Sequence, residues 1–423
     1  MKNKAIQLVK YINKVYRFEQ FLKNLYDWRV NPSIPKYEAD TIVFTGILTG
    51  MSSFNQMEEK LNEGYFDKIV GKKITRGSAD TFGYVQENSP VEQYRQYNYE
   101  IVKNARYNKA FQGGTIDGFL TIALDGTRLT GTESPQRGCD ACKKTEHESG
   151  EVKLHEDFVG ASYVGKPPNL VIDLERIAPG EGESTATLRL LDRLKSQQYY
   201  YAEVCALDSL YPSTPVINKL IEHNVIGVIR VKQEHYTLIK DAEGLFKVRE
   251  PDITKTAANI KSHWYDDDKA GKKYCYNLKI WDEEGFRTWE KAKAPLRVLR
   301  VEECKADRSG RPLEKPTVTY IIVTVGKNEI SAETVWRILH RRWDIENKTF
   351  HGLKKFWHFG HDFHHEDNAF LVMRWMIVIA YNLFMLFFYR CIKGNMKNYT
   401  HKGLIFTFAC TLCMIEIPIL DSS

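Results

Sequence analysis

Phe119-Leu120-Thr121-Ile122-Ala123-Leu124-Asp125-Gly126 is a short β-compatible run that stops on an acid followed by a glycine. A second such run, Tyr200 to Leu207, reads Tyr-Tyr-Ala-Glu-Val-Cys-Ala-Leu and stops on Asp208. A helical pattern from about Pro215 to His223 and an apolar run over Val225–Val231 come next, giving the order β-Asp-α-β. Between the two acids, Ser162–Leu174 suggests further strand. Thr185–Gln197 carries Leu188, Leu190, Leu191 and Leu194 at helical spacing. Residues 111–232 therefore imply an α/β sheet with two acids at strand ends.

The flanking segments read differently. Residues 1–110 have a helical pattern with apolar positions at Leu8, Ile12, Val15, Phe18, Phe21, Leu22 and Leu25, and seven Lys or Arg before Asn31. Pro32 and Pro35 break this helix, and a second runs from about Ala39 to Leu61. Lys72, Lys73 and Arg76, followed by Ser78-Ala79-Asp80, resemble a basic turn leading into a capped helix. A DNA-contacting helical region and a merely solvated basic face both fit this stretch. In 233–330, short β runs (Leu296–Val301, Thr317–Val325) alternate with charged, glycine-containing turns, which predicts a β-rich insertion. Helical pattern resumes at about Ser331 and continues through 331–423.

The whole chain has 423 residues, 43% hydrophobic and 27% charged, which excludes a disordered chain. Its formal net charge of +6 permits a polyanionic partner without requiring one. Only 111–232 is net acidic, which suggests metal ions as a use for its carboxylates. Eight cysteines, and no apolar signal core between Met1 and Lys10, suit a reducing cytosol. Ala369 to Tyr389 is long and apolar enough to span a membrane, but it contains Arg374 and Asn382. A charged residue near a span's centre costs ~2.5–3.5 kcal/mol, so a buried core helix is expected and no membrane partner.

Phosphodiester cleavage at neutral pH is served by two divalent cations held by a few carboxylates, since Mg²⁺ keeps several waters and takes substrate phosphate as a ligand. Asp125, Asp208 and Glu346, the last within Arg341-Arg342-Trp343-Asp344-Ile345-Glu346, make such a set if the fold brings them together. Arg342 lies one helical turn before Glu346, where it would clamp a phosphate. The bland reading makes each Asp a turn residue and Arg342–Glu346 a surface ion pair.

In order and local sequence, Leu-Asp125-Gly, Ala-Leu-Asp208-Ser-Leu-Tyr and Arg-Arg342-Trp-Asp-Ile-Glu346-Asn resemble the DDE transposases of bacterial insertion sequences, specifically the insertion-sequence-four family. The resemblance implies an RNase H-like mixed sheet flanked by helices, interrupted by a β-rich insertion and preceded by a helical DNA-binding region. It implies a metal-dependent polynucleotidyl transferase that cuts and joins DNA at element ends, with two Mg²⁺ (or Mn²⁺) ions on Asp125, Asp208 and Glu346. Its partners would be double-stranded DNA, as terminal inverted repeats and target, and a second copy of the chain on DNA; its place would be the cytoplasm, at the nucleoid. A catalytically silent DNA-binding protein of the same fold is the alternative. The family signature Y-x2-R-x3-E-x6-K matches at Arg342 and Glu346 and departs at Leu339 and Leu353, with Lys354 one residue late. On a regular helix Lys354 would sit about 80° around from Glu346 instead of about 20°. Lys354, Lys72, Lys73 and Arg76 are the remaining expected phosphate contacts.

Cys139-x2-Cys142-x4-His147-x7-His155 has ligand types suited to a structural Zn²⁺, with reduced thiols and surface histidines as the alternative. His358, His361, His364 and His365 read as solvated or core histidines, or as phosphate contacts or partners of groups that touch the metals, and Trp343 as a core residue or a base-stacking one.

Overall fold

The computed structural model of the chain describes residues 4–70, 73–132, 142–146, 152–197, 200–232, 236–256, 275–307, 309–392 and 400–414. The N-terminal region is helical: α1 (Lys4–Tyr16), α2 (Phe18–Asn24), α3 (Lys36–Leu48), α4 (Phe54–Asn62), α5 (Tyr65–Val70), α6 (Ala79–Glu87) and α7 (Val91–Tyr107). The apolar stripe predicted for the first segment is buried at Leu8, Ile12, Phe18, Leu22 and Leu25. The segment breaks at Arg17, which takes a left-handed conformation (φ 54°) between α1 and α2. The second predicted helix is two, α3 and α4, separated at Gly50 (φ 79°). Ser78 caps α6 by accepting from the Thr81 N–H, as its position implied.

The strands are β1 (Thr121–Thr132), β2 (Lys143–Glu146), β3 (Val152–Tyr163), β4 (Val171–Ile177), β5 (Val204–Leu207), β6 (Ile226–Val231), β7 (Ile253–Lys255), β8 (Cys275–Phe286), β9 (Leu296–Ala306) and β10 (Thr317–Val323). Among the described residues they form one mixed sheet in the order β2-β3-β1-β5-β6-β10-β9-β8-β7, with β4 also paired to β3. β1, β5 and β6 run parallel, and the other neighbours are antiparallel. Helices α8 (Glu183–Ser196), α9 (Thr214–His223) and α10 (Thr237–Phe246) follow the sheet's first strands. This is the RNase H-like mixed sheet flanked by helices. Its β-rich insertion is continuous with it, because β10 pairs with β6 along Val228–Val231 and carries β9, β8 and β7 outward.

After β10 comes one helical stretch with a change of pitch inside it: α11 (Ala332–Arg342), a π-helical turn over Ile345–Phe350, and α12 (His351–Phe356). Then come α13 (Asp367–Cys391) and α14 (His401–Met414). α13 is the one helix among the described residues long and apolar enough to cross a membrane, yet 94% of its most apolar window is buried inside the protein. Arg374 and Asn382 both find hydrogen-bond partners there. Arg374 donates to the His361 carbonyl (2.7 Å) and to Asp362 (3.0 Å), and Asn382 bonds Asn98 (2.8 Å) and the backbone of Val171. Asn98 belongs to α7, so this buried amide pair ties the N-terminal helices, the core helix and β4 together.

Candidate active site

Parallel pairing of β1 with β5 sets the geometry. The last paired residues are Ala123 and Ala206, and Asp125 and Asp208 each stand two residues further on. Side chains two apart along a strand share a face, so both carboxylates emerge on the same side of adjacent strands. Asp125 does not end its strand as its sequence suggested. β1 runs on to Thr132 because β3 continues to pair with it, Asp125 lying opposite Gly160.

The third acid comes from the helical stretch packed on that face. A Cβ at Gly160 would stand 2.8 Å from Cζ of Phe350, so a glycine there lets the π-turn settle close against the sheet. Thr349 reaches Ser162 on the same strand (3.2 Å). Arg342 stands at the centre of the acids and is wholly buried. Its Nη1 is 3.4 Å from Asp125 Oδ2 and 3.5 Å from Glu346 Oε1, and its Nη2 is 3.6 Å from Asp208 Oδ2. These separations exceed the ~2.7–2.9 Å of a tight charge-assisted hydrogen bond. Nε and Nη2 have no hydrogen-bond partner. Burial, and then the Glu346 carboxylate beside it, push the Asp125 carboxyl up to about 8, with Arg342 acting in the opposite direction.

In this structure Arg342, expected as a phosphate clamp, is a buried counter-charge whose guanidinium faces three carboxylates. Among the described residues no group of three or more His, Cys, Asp or Glu side chains is gathered as a ready-made metal cage. The donor set nevertheless fits Mg²⁺ or Mn²⁺: all hard carboxylate oxygens, held loosely by the arginine, with two acids in mutual contact that need more positive charge than one guanidinium supplies.

Trp343 corrects the expectation of a core tryptophan. It is 42% exposed, and its ring lies 4.5 Å from the Arg342 guanidinium carbon, at the edge of the acid cluster. Lys354 also differs from the regular-helix expectation. A π-turn closes i→i+5 bonds and so takes in one residue more than an α-turn, which brings the residue eight beyond Glu346 round to the place of the seventh. Lys354 is exposed while Leu353 is buried. Partial desolvation and then Arg128 keep its ammonium below the usual lysine range, with Asp157 pulling the other way, so its charged neighbours are residues of β1 and β3.

The other expected sites are dispersed. Lys72 lies outside the described residues, and Lys73 is exposed. Arg76 is engaged by both oxygens of Asp67 (2.9 and 2.8 Å), which occupy the planar fork a phosphate would take. Of the four expected zinc ligands, Cys142 is disulfide-bonded. His155 is buried beside Thr145 (3.4 Å) and Asp157 (3.6 Å), while Cys139 and His147 lie outside the described residues. Of the later histidines, His358 meets the Gly50 carbonyl (3.2 Å) and His364 pairs with Glu87 (3.4 Å), both in structural contacts with the N-terminal helices. Glu183, which opens α8, lies near the acids and was not singled out in the sequence, and Tyr211, three residues past Asp208, was quoted only as part of its motif and given no role.

A family model described as the transposase DDE domain matches residues 119–383, from the run that leads into Asp125 to the middle of α13. No curated protein matches the chain.

Proposed function

Since the chain belongs to the transposase DDE domain family, we propose that it is an active transposase of the insertion-sequence-four type, cutting and joining DNA at element ends with Asp125, Asp208 and Glu346 as its catalytic acids. The observation that carries this reading is the meeting of those three carboxylates, from two parallel strands and a π-turn, around one buried arginine.

In this reading Asp125, Asp208 and Glu346 would together hold the divalent cations. Mg²⁺ or Mn²⁺ bound there would activate a water or a 3′-hydroxyl for attack and neutralise the departing oxygen. Arg342 keeps the acids partly neutralised when no cation is present. Trp343, exposed at the rim, offers its outer face to a base next to the cleaved bond. Lys354, re-phased by the π-turn, and the basic N-terminal helices would hold phosphates of the terminal repeats and the target, with two copies of the chain on the DNA. No serine or cysteine nucleophile is required. The protein would work on DNA in the cytoplasm, at the nucleoid.

Replacing Asp125, Asp208 or Glu346 by Asn or Gln and measuring nicking of a duplex that carries the element end tests this. Loss of cleavage with end binding retained is expected for all three. Ordinary nicking by any one variant removes that acid from the site.

A further inference from the structure

Gly126, the residue after Asp125, has no room for a side chain. A Cβ there would stand 2.5 Å from Oε1 of Glu183, 2.7 Å from its Cδ and 2.9 Å from Oε2. The Glu183 carboxylate therefore lies against bare strand backbone. Successive strand residues point to opposite faces, and Asp125 faces Arg342 and Glu346, so Glu183 presses on β1 from behind.

Glu183 is in turn held. The Tyr211 hydroxyl donates to its Oε2 at 2.8 Å. Tyr211 is wholly buried, in the segment that follows Asp208, near enough to Asp125 and Arg342 for their charges to act on its phenol. The N-cap position of α8 is Gly182, so Glu183 is the first residue of the helix. One hydrogen-bonded pair thus joins the backbone beside Asp125 to the loop beside Asp208, filling the space beyond the end of β5.

We propose that Glu183, locked by Tyr211, is a positioning residue that sets the aim of the Asp125 carboxylate by bracing the Asp125–Gly126 backbone from the far face of the sheet. The inference rests on the reading of Asp125 as a catalytic acid. It assigns the work to shape and to the hydrogen bond, so a glutamine, which keeps both, substitutes for the glutamate.

The test compares E183A, E183Q and Y211F in nicking of an end-containing duplex, with end-binding affinity, melting temperature and Mn²⁺ affinity by calorimetry measured on each. An ångström of misplacement costs up to ~100-fold in rate, so E183A is expected to lose about 10- to 100-fold in turnover with end binding within about 2-fold of wild type. Its Mn²⁺ affinity should fall several-fold. E183Q should keep most of the rate and the Mn²⁺ affinity. Y211F, losing one hydrogen bond, should lose about 3- to 10-fold, and it carries the test should E183A not fold. Wild-type turnover in E183A or Y211F overturns the proposal, as does a loss shared equally by binding and turnover. Loss in E183Q as deep as in E183A also overturns it, since the charge would then be what matters. D125N separates the two readings: if D125N nicks normally the catalytic assignment has failed, whereas an inactive D125N beside an unimpaired E183A sinks only the role of Glu183.

Discussion

Nη1 of Arg342 lies 3.4 Å from Oδ2 of Asp125, and the arginine that makes this contact has no exposed surface. A buried cation whose neighbours are three acids is there to balance them, and removing one partner of such an arrangement costs ~3–5 kcal/mol. R342Q should therefore melt well below wild type in EDTA, and Mn²⁺ should raise its melting temperature by more than it raises that of wild type, because the ion replaces the missing charge. Equal Mn²⁺ shifts in the two proteins would show that Arg342 does not compensate the acids.

The proton on the Asp125–Glu346 pair gives the cation-free protein a pH signature. Asp125 is raised to about 8 when folded and returns to the ordinary carboxyl range near 4 when unfolded. Between these values the folded protein holds a proton that the unfolded chain has released, so stability falls as pH rises through that window. Denaturant melts in EDTA across pH 5 to 8 should show this decline, and D125N should flatten it. A slope unchanged in D125N would place the responsible proton elsewhere.

Trp343 exposes 42% of its surface, so W343A should leave the melting temperature close to wild type. If its outer face stacks on a base, binding of the end duplex or its cleavage complex should weaken by ~1–3 kcal/mol, and W343F should recover part of that. The decisive comparison is a duplex with an abasic position at the cleavage site: W343A and wild type should behave alike on it. A penalty that persists on the abasic duplex would mean the tryptophan acts through Arg342 instead.

Phasing by the π-turn distinguishes two adjacent lysines. Lys354 faces the Arg128 and Asp157 surface, whereas Lys355 lies over the ring of Phe356 (5.6 Å). K354A should reduce the slope of end binding against salt by about one phosphate contact, and K355A should not. The reverse ranking would show that the helix presents the other lysine to DNA.

At the N-terminal basic turn, Asp67 already fills the Arg76 fork. K73A should weaken binding to all DNA sequences more than R76A does. D67N, which frees the guanidinium, should strengthen binding at low salt, and identical binding by D67N and wild type would show that Arg76 does not face DNA.

Much of this protein was legible in one dimension. The runs ending at Asp125 and Asp208 identified two strands, the leucines of 188–194 identified α8, and Arg374 and Asn382 marked α13 as a core helix, because burial and periodicity are local properties of a few neighbouring side chains. The position of Asp125 within its strand was not legible, since β1 continues only where β3 pairs with it. Nor was the exposure of Trp343, because an aromatic residue next to a buried arginine reads the same on either side of a surface.

What the sequence by itself determined was which acids stand on which types of element, and in which order. Only the tertiary structure decided how they meet. The register of Ala123 with Ala206 brings two acids 83 residues apart into line, a one-residue change of helical pitch turns Lys354, and Arg342 sits inside the cluster instead of outside it. The reason is that strand register, helix phase and burial are set by the packing of segments distant in the chain, and no local pattern records a distance across a sheet.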